Sequence, residues 1–193
     1  MGSHLIANLY RLRYIERWSL MRNVTKENVA EHSFQVSLIT HCLCSIANEV
    51  FDKEINTDKA VTLSLFHDVT EVFTGDIPTP VKHHNSDILK NFRDIENLAA
   101  ERLVKQAPEQ LKHIYKDMII DEQDAELMSY IKAADLLDAY LKCVTELTAG
   151  NKEFVIAKEQ IEKKLNDLNM PEIDYFLTDF APSFEKTLDE ISE

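Results

Sequence analysis

Phe66-His67-Asp68-Val69-Thr70-Glu71, followed two residues on by Thr74-Gly75-Asp76-Ile77-Pro78-Thr79-Pro80, sets an imidazole and several carboxylic acids into an apolar run. Ala60, Val61, Leu63, Leu65 and Phe66 carry the run, and Val69, Val72 and Phe73 continue its register. That spacing predicts one buried helix. On it His67 and Glu71 are four apart and Asp68 and Glu71 three apart, so all three project toward one region. A neighbouring His and Asp on a rigid helix form a half-site for a divalent metal. A histidine satisfied by a carboxylate at a helix surface reads the same way, and the dipeptide alone does not choose. Gly75 stands where a helix C-terminal glycine is expected. Beyond it Pro78 and Pro80 predict a stiff, extended turn, a natural wall for a pocket.

Upstream, Asn28 or Thr25 caps a helix through Val29, Phe34, Val36, Leu38, Ile39, Leu43, Ile46 and Ala47 to about Val50. It is apolar around most of its circumference, which predicts a central, buried position. Glu31-His32-Ser33 lies near its start, and a buried histidine there needs partners for its ring nitrogens. Earlier still, Leu5, Leu9, Leu12 and Ile15 keep helical spacing, and the rhythm breaks at Arg17-Trp18-Ser19-Leu20-Met21-Arg22-Asn23. Trp18, the only tryptophan, reads as a core plug as readily as a functional residue, and Arg17 as a solvated charge.

Downstream, Lys82, His83, His84 and Asn85 follow the prolines, and Ser86 or Asp87 starts a helix through Ile88, Phe92, Ile95, Leu98, Ala99 and Leu103. Pro108 opens a shorter helix with Leu111, Ile114 and Tyr115. Asp121, Glu122, Asp124 and Glu126 read as a solvated linker and helix start. The next helix, roughly 125–148, sets Asp135 between small and large apolar residues, which predicts a buried face; Asp138 shares that face or lies at its edge. A buried aspartate is costly unless paired or bound to a metal. Segments 154–168 and 173–191, the latter broken at Pro182, complete the chain.

Three glycines and five prolines in 193 residues leave little material for β-turns, which points to an all-α fold, a compact helical bundle. No repeat, low-complexity stretch or boundary divides it, so residues 1–193 read as a single domain. No segment approaches the ~20 apolar residues of a membrane span. Met1-Gly2-Ser3-His4 lacks the regions of a secretory signal. Cys42, Cys44 and Cys143 have no CxxC spacing and read as reduced core residues of a cytoplasmic protein. A net charge of −13 argues against binding a nucleic acid polymer. A small anionic substrate remains compatible if a few cations gather locally.

His32, then His67-Asp68, then Asp135 supply two imidazoles and two carboxylates, a set suited to a first-row divalent cation with open positions. This order resembles the HD-domain metal-dependent phosphohydrolases. The nearest resemblance is to the small bacterial HD-domain 5′-deoxyribonucleotidases, which remove phosphate from deoxyribonucleoside 5′-monophosphates. The blocks that carry it span nearly the whole chain. They are Arg17-Trp18-Ser19-Leu20-Met21-Arg22-Asn23-Val24, Glu27-Asn28-Val29-Ala30-Glu31-His32-Ser33, His67-Asp68-Val69-Thr70-Glu71, Thr74 through Lys82, Lys132-Ala133-Ala134-Asp135 and Ala139-Tyr140-Leu141-Lys142.

The resemblance implies an HD-type fold in which His32, His67, Asp68 and Asp135 hold one divalent transition metal: cobalt, manganese or copper, with zinc as a further candidate. It implies Glu71 as the acid that handles the attacking water, Arg17 as a catalytic contact to the phosphate, and Trp18 against the sugar's 2′ carbon. Asp76, Ile77, Pro78 and Thr79 correspond to the substrate-lining loop, and Asp68 and Asp135 to substrate contacts as well as ligands. A homodimer is the implied assembly. Two other readings stand beside it: an HD enzyme acting on nucleoside triphosphates or cyclic nucleotides, and a non-catalytic binding protein stabilised by its metal.

Overall fold

The computed structural model describes residues 2–82, 84–120 and 124–192, so His83, Asp121 and Glu122 lie outside the described residues. Among the described residues eleven α-helices follow one another: α1 (Leu5–Leu9), α2 (Val29–Val50), α3 (Thr57–Ser64), α4 (Glu71–Thr74), α5 (Thr79–Lys82), α6 (Ser86–Lys105), α7 (Lys112–Ile119), α8 (Ala125–Thr148), α9 (Val155–Asp167), α10 (Pro171–Asp179) and α11 (Leu188–Ile191). The fold is all-α, as the sparse glycine and proline predict, and the described residues form no strand beyond an isolated bridge between Glu16 and Asn28. No described helix is long and apolar enough to cross a membrane.

Helices α2 and α8 are the frame. They pack on each other, with α3 against α2 and α9 against α8. Ala47, Ala60, Ala133 and Ala134 are fully buried, and such small side chains let the backbones approach, while Leu43, Leu137, Leu141 and Phe154 fill the core around them. Of the two expected caps, Asn28 is the one used. Its Oδ1 accepts from the N–H groups of Ala30 (3.0 Å) and Glu31 (3.1 Å), and Glu31 accepts from the Asn28 N–H (3.2 Å). This box fixes the first turn of α2, where His32 sits. The expected central position of α2 holds, but two apolar residues expected along it are not covered: Phe34 and Leu38, one turn apart, are 59% and 57% exposed. Neighbours cover only part of its circumference, and this stripe lies outside them.

A second correction concerns His67 and Asp68. They do not lie on a continuous α-helix, because α3 ends at Ser64. From Phe66 to Phe73 the backbone closes through bonds three residues apart, such as Phe66 N–H to Leu63 O (3.0 Å) and Glu71 N–H to Asp68 O (3.1 Å). A helix end leaves carbonyls without intrahelical partners. The Ser64 carbonyl is taken by the His67 side chain, whose Nδ1 donates to it at 2.7 Å. The tightened turns therefore anchor the histidine. Leu65, predicted to be buried, is 44% exposed because the register changes here. The stretch after Gly75 (φ 72°) is extended only to Pro78, since Thr79–Lys82 forms a helical turn. Pro80 fits its first turn, where a missing N–H costs nothing.

Residues 15–28 form a loop closed at its base. The Arg17 N–H donates to the Glu27 carbonyl and the Val29 N–H to the Ile15 carbonyl, both at 3.0 Å. Its far side is tied to α8 by Glu146, which is 1% exposed. That carboxylate accepts from the N–H groups of Val24 (2.9 Å) and Thr25 (3.1 Å), from Asn151 Nδ2 (2.8 Å) and from Lys142 Nζ (2.5 Å). Burial opposes its charge, but Lys142 and the other donors outweigh burial and bring its pKa down to about 2 from 4.5. Its stabilisation is therefore complete above the unfolded value and is lost as pH falls toward 2. Glu146→Ala is expected to cost about 3 kcal/mol at pH 7 by urea unfolding. The gap to wild type should narrow at pH 3; an equal gap at both pH values would rule out the charge as its source.

Candidate active site

His32 is fully buried in the first turns of α2, and two aspartates one turn apart on α8 grip it from both sides. Its Nδ1 meets Asp138 Oδ2 at 2.7 Å, and its Nε2 meets Asp135 Oδ1 at 3.2 Å. The same Nε2 lies 3.3 Å from Asp68 Oδ2 and 3.3 Å from His67 Nε2. Asp68 Oδ2 is 3.2 Å from His67 Nε2. The four residues expected to be ligands thus come together, and those of His32, His67 and Asp135 offer ligand atoms all within 4.8 Å of one another.

We assign the ring proton to Nδ1 in both histidines, because each Nδ1 faces a strong acceptor, Asp138 for His32 and the Ser64 carbonyl for His67. Both Nε2 atoms then point into one space flanked by two carboxylates. Positive charge is favoured there, as a ring proton or a bound metal, and the mixed N/O chemistry fits a divalent first-row metal. The cluster is closed behind and open in front: the His32 side chain is 0% exposed, those of Asp68 and Asp135 28% and 41%. Asp135 therefore stands at an open edge and not on the buried face its neighbours suggested. Burial works against charge on the imidazoles. Asp135, Asp138 and Asp68 nevertheless hold His32 well above its ordinary pKa, and Asp68 raises His67. Against the same burial, His67 holds Asp68 well below the carboxylate range and His32 lowers Asp135.

Glu71, the first residue of α4, has a buried Oε2 with no hydrogen-bond partner among the described residues. Burial, then the charges of Asp68 and Asp76, push its carboxyl up to about 9. Arg17 is not the solvated charge one reading allowed. Its side chain is 12% exposed, and Nη1 donates to Glu27 Oε1 and, at 3.3 Å, to Asp138 Oδ2. Burial opposes its charge, but Glu27, Asp135, Asp138 and Asp68 more than compensate and raise its pKa. Nε and Nη2 bond to nothing among the described residues.

Trp18 is half-buried, stacked at a tilt on Phe154 with centroids 5.4 Å apart, and its φ of 55° is one that large side chains rarely adopt. The turn is held by Met21 N–H (2.9 Å) and Asn23 Nδ2 (3.1 Å), both donating to the Trp18 carbonyl. Its indole Nε1 is buried and unpartnered among the described residues. Asp76 is half-buried, raised in pKa by burial against the charge of Arg17, and within reach of the Trp18 backbone N–H. Ile77 and Pro78 continue beside it, half-buried, and Thr79 is exposed. A groove of about 730 Å³ reaches Glu27 and Asp138 between Leu38, Leu141, Phe176 and Phe180, and its walls include none of the four clustered residues. Glu27 was not singled out from the sequence, because nothing local pairs it with an arginine ten residues earlier.

Residues 4–184 match the 5′-deoxynucleotidase YfbR-like family. The chain belongs to that family. Among its relatives, the 5′-deoxynucleotidase of Enterobacter sp. (strain 638) is 47% identical over 192 residues, 99% of this chain and 96% of that protein. The 5′-deoxynucleotidase YfbR of Escherichia coli O127:H6 is 47% identical with the same coverage. Among solved structures, an HD-domain phosphohydrolase from Listeria innocua aligns with a TM-score of 0.83 at 24% identity, over 95% of this chain and 90% of that one. The Cyanophage S-2L HD phosphohydrolase DatZ, solved with dA and one catalytic Zn²⁺, aligns at 0.62 and 20% identity over 94% and 96%. These two likenesses concern the HD fold. As a YfbR-like family member the chain is an enzyme, a phosphoric monoester hydrolase of the 5′-deoxynucleotidase class.

Proposed function

We propose that the YfbR-like reaction, hydrolysis of deoxyribonucleoside 5′-monophosphates to deoxyribonucleoside and phosphate, is carried out in this chain at one divalent transition metal held by His32, His67, Asp68 and Asp135. The observation that carries the ligand set is the convergence of the two Nε2 atoms, 3.3 Å apart, with Asp68 and Asp135. Cobalt, manganese and copper are the metals proposed, with zinc as a further candidate. When bound, such a cation supplies Lewis acidity toward a phosphoryl oxygen and toward water. The chain's own residues do the rest. Glu71 takes the proton of the attacking water: in its present surroundings it keeps its own proton at neutral pH, and added positive charge nearby pulls it toward the carboxylate a base needs. Arg17, held through Nη1, has Nε and Nη2 left to fork onto phosphoryl oxygens. Asp76, Ile77, Pro78 and Thr79 line the substrate, and the open Asp68 and Asp135 edge meets its phosphate.

Trp18 is proposed to pack against C2′ of the sugar. An indole there welcomes a CH₂ and leaves a hydroxyl without partners, at ~1–3 kcal/mol. Trp18→Ala should lower the ratio of kcat/KM for dAMP to that for AMP toward unity. A core plug predicts instead that both activities fall together and the ratio stays where it was, which a single assay series on folded, metal-loaded variant resolves.

We further place the enzyme in the cytoplasm, as a single domain that binds neither membrane nor nucleic acid polymer and works as a homodimer. The exposed Phe34 and Leu38 stripe supports the dimer as a surface to be covered. The test of the whole reading is a panel of nucleoside mono-, di- and triphosphates, each with several divalent metals, scored by phosphate release. Release from triphosphates but not from dAMP would overturn it.

A further inference from the structure

We propose that Asp138 is a positioning residue that couples the cation site to the phosphate-binding arginine through one carboxylate oxygen. This rests on the proposed roles of His32 as ligand and Arg17 at the phosphate. Asp138 is 5% exposed, and its Oδ2 accepts from His32 Nδ1 at 2.7 Å and from Arg17 Nη1 at 3.3 Å. Arg17 Nη1 and His32 Nδ1 are themselves only 2.7 Å apart. Two donors this close repel unless an acceptor serves both, and Asp138 Oδ2 is that acceptor. Glu27, His32 and Asp138 offer ligand atoms within 4.8 Å of one another, the spacing of a small cation site. The guanidinium fills it, with Glu27 bonded to the same Nη1.

The arrangement has two consequences. Accepting the Nδ1 proton makes the opposite nitrogen, Nε2, a better ligand and fixes the plane of the ring. Accepting from Nη1 fixes the plane of the guanidinium, and with it the direction of Nε and Nη2. Asp135 and Asp138 therefore divide one turn of α8 between them, one serving the cation directly and the other serving both cation and anion contacts from behind.

Asp138→Asn preserves shape but replaces the charged acceptor with a neutral amide oxygen, a weaker acceptor for both neighbours. By calorimetry its Co²⁺ affinity should fall by ~10–100-fold. Its KM for dAMP at saturating Co²⁺ should rise as well. Glu27→Gln loosens Arg17 alone and should raise KM with Co²⁺ affinity unchanged. A structural Asp138 would instead lower the melting temperature and leave both Co²⁺ affinity and KM at wild-type values in the folded protein, which overturns the coupling. If Asp138→Asn does not fold, the Zn²⁺-loaded wild type decides. With ¹⁵N-labelled histidine, two slowly exchanging Nδ1–H protons are expected, from His32 and His67; one alone overturns the proposal. Failure of the functional reading is distinct, because the wild type itself would then neither bind Co²⁺ nor release phosphate from dAMP, and both proposals would fall.

Discussion

Asp135→Ala is expected to retain no stoichiometric cobalt or manganese and to release no phosphate from dAMP. Asp135 Oδ1 is one of two carboxylate oxygens facing the paired Nε2 atoms, and Asp135 is the more exposed of the two aspartates proposed as ligands. Without it, one donor and one negative charge are lost, which weakens the hold of the remaining three donors on a divalent ion. Loss of the ion has a second readout. A ligand that binds only the folded chain stabilises it, by about 2.7 kcal/mol at a hundredfold excess over Kd. Wild type should therefore melt higher as metal is added, and the variant should not. Elemental analysis of the purified variant checks the claim, and full occupancy would remove Asp135 from the ligand set.

Glu71→Ala should keep its metal and its affinity for dAMP and lose ~10²–10⁴ in kcat, the usual scale for a general acid–base group. The side chain is placed for this by the tight turns after Ser64, which set Glu71 three residues beyond Asp68 with its N–H on the Asp68 carbonyl. Its unpartnered, buried Oε2 is costly to maintain in a resting protein, and such a cost is understandable where the oxygen meets a substrate water. Single-turnover kinetics with metal content measured on the same sample separates the outcomes. A variant that arrives without metal would make Glu71 a ligand and the proposed mechanism wrong.

Much of this was legible in the sequence, for physical reasons that also mark the limits. The all-α fold follows from apolar residues at helical spacing with few glycines or prolines to break it. The clustered residues were legible from their order and from the expense of burying His32 among apolar neighbours, whereas the buried face expected for Asp135 is an open edge. The end of α3 at Ser64 was not legible. Over six residues an apolar register does not separate bonds of three residues from bonds of four. The apolar pattern alone did not separate Asp135 from Asp138, since both lie on one stripe of α8, and it was the resemblance that chose Asp135. The structure distinguishes them by ring nitrogen and by exposure, 41% against 7%. The left-handed turn at Trp18 had no signal either, because a tryptophan is among the last residues expected there. Glu146 pairs with a loop more than a hundred residues away, beyond any local pattern.

That last tie has a consequence for how the chain opens and closes. Val24 and Thr25 sit in an irregular segment, where amide hydrogens ordinarily exchange with deuterated water within seconds to minutes. Here both amides end on a carboxylate rooted in α8. They are expected to exchange on the timescale of that helix, orders of magnitude more slowly than the half-exposed neighbours around them. The segment carrying Arg17 and Trp18 then has no low-energy opening of its own. It is released only when the end of α8 comes apart, so this loop draws its rigidity from the helix whose middle carries Asp135.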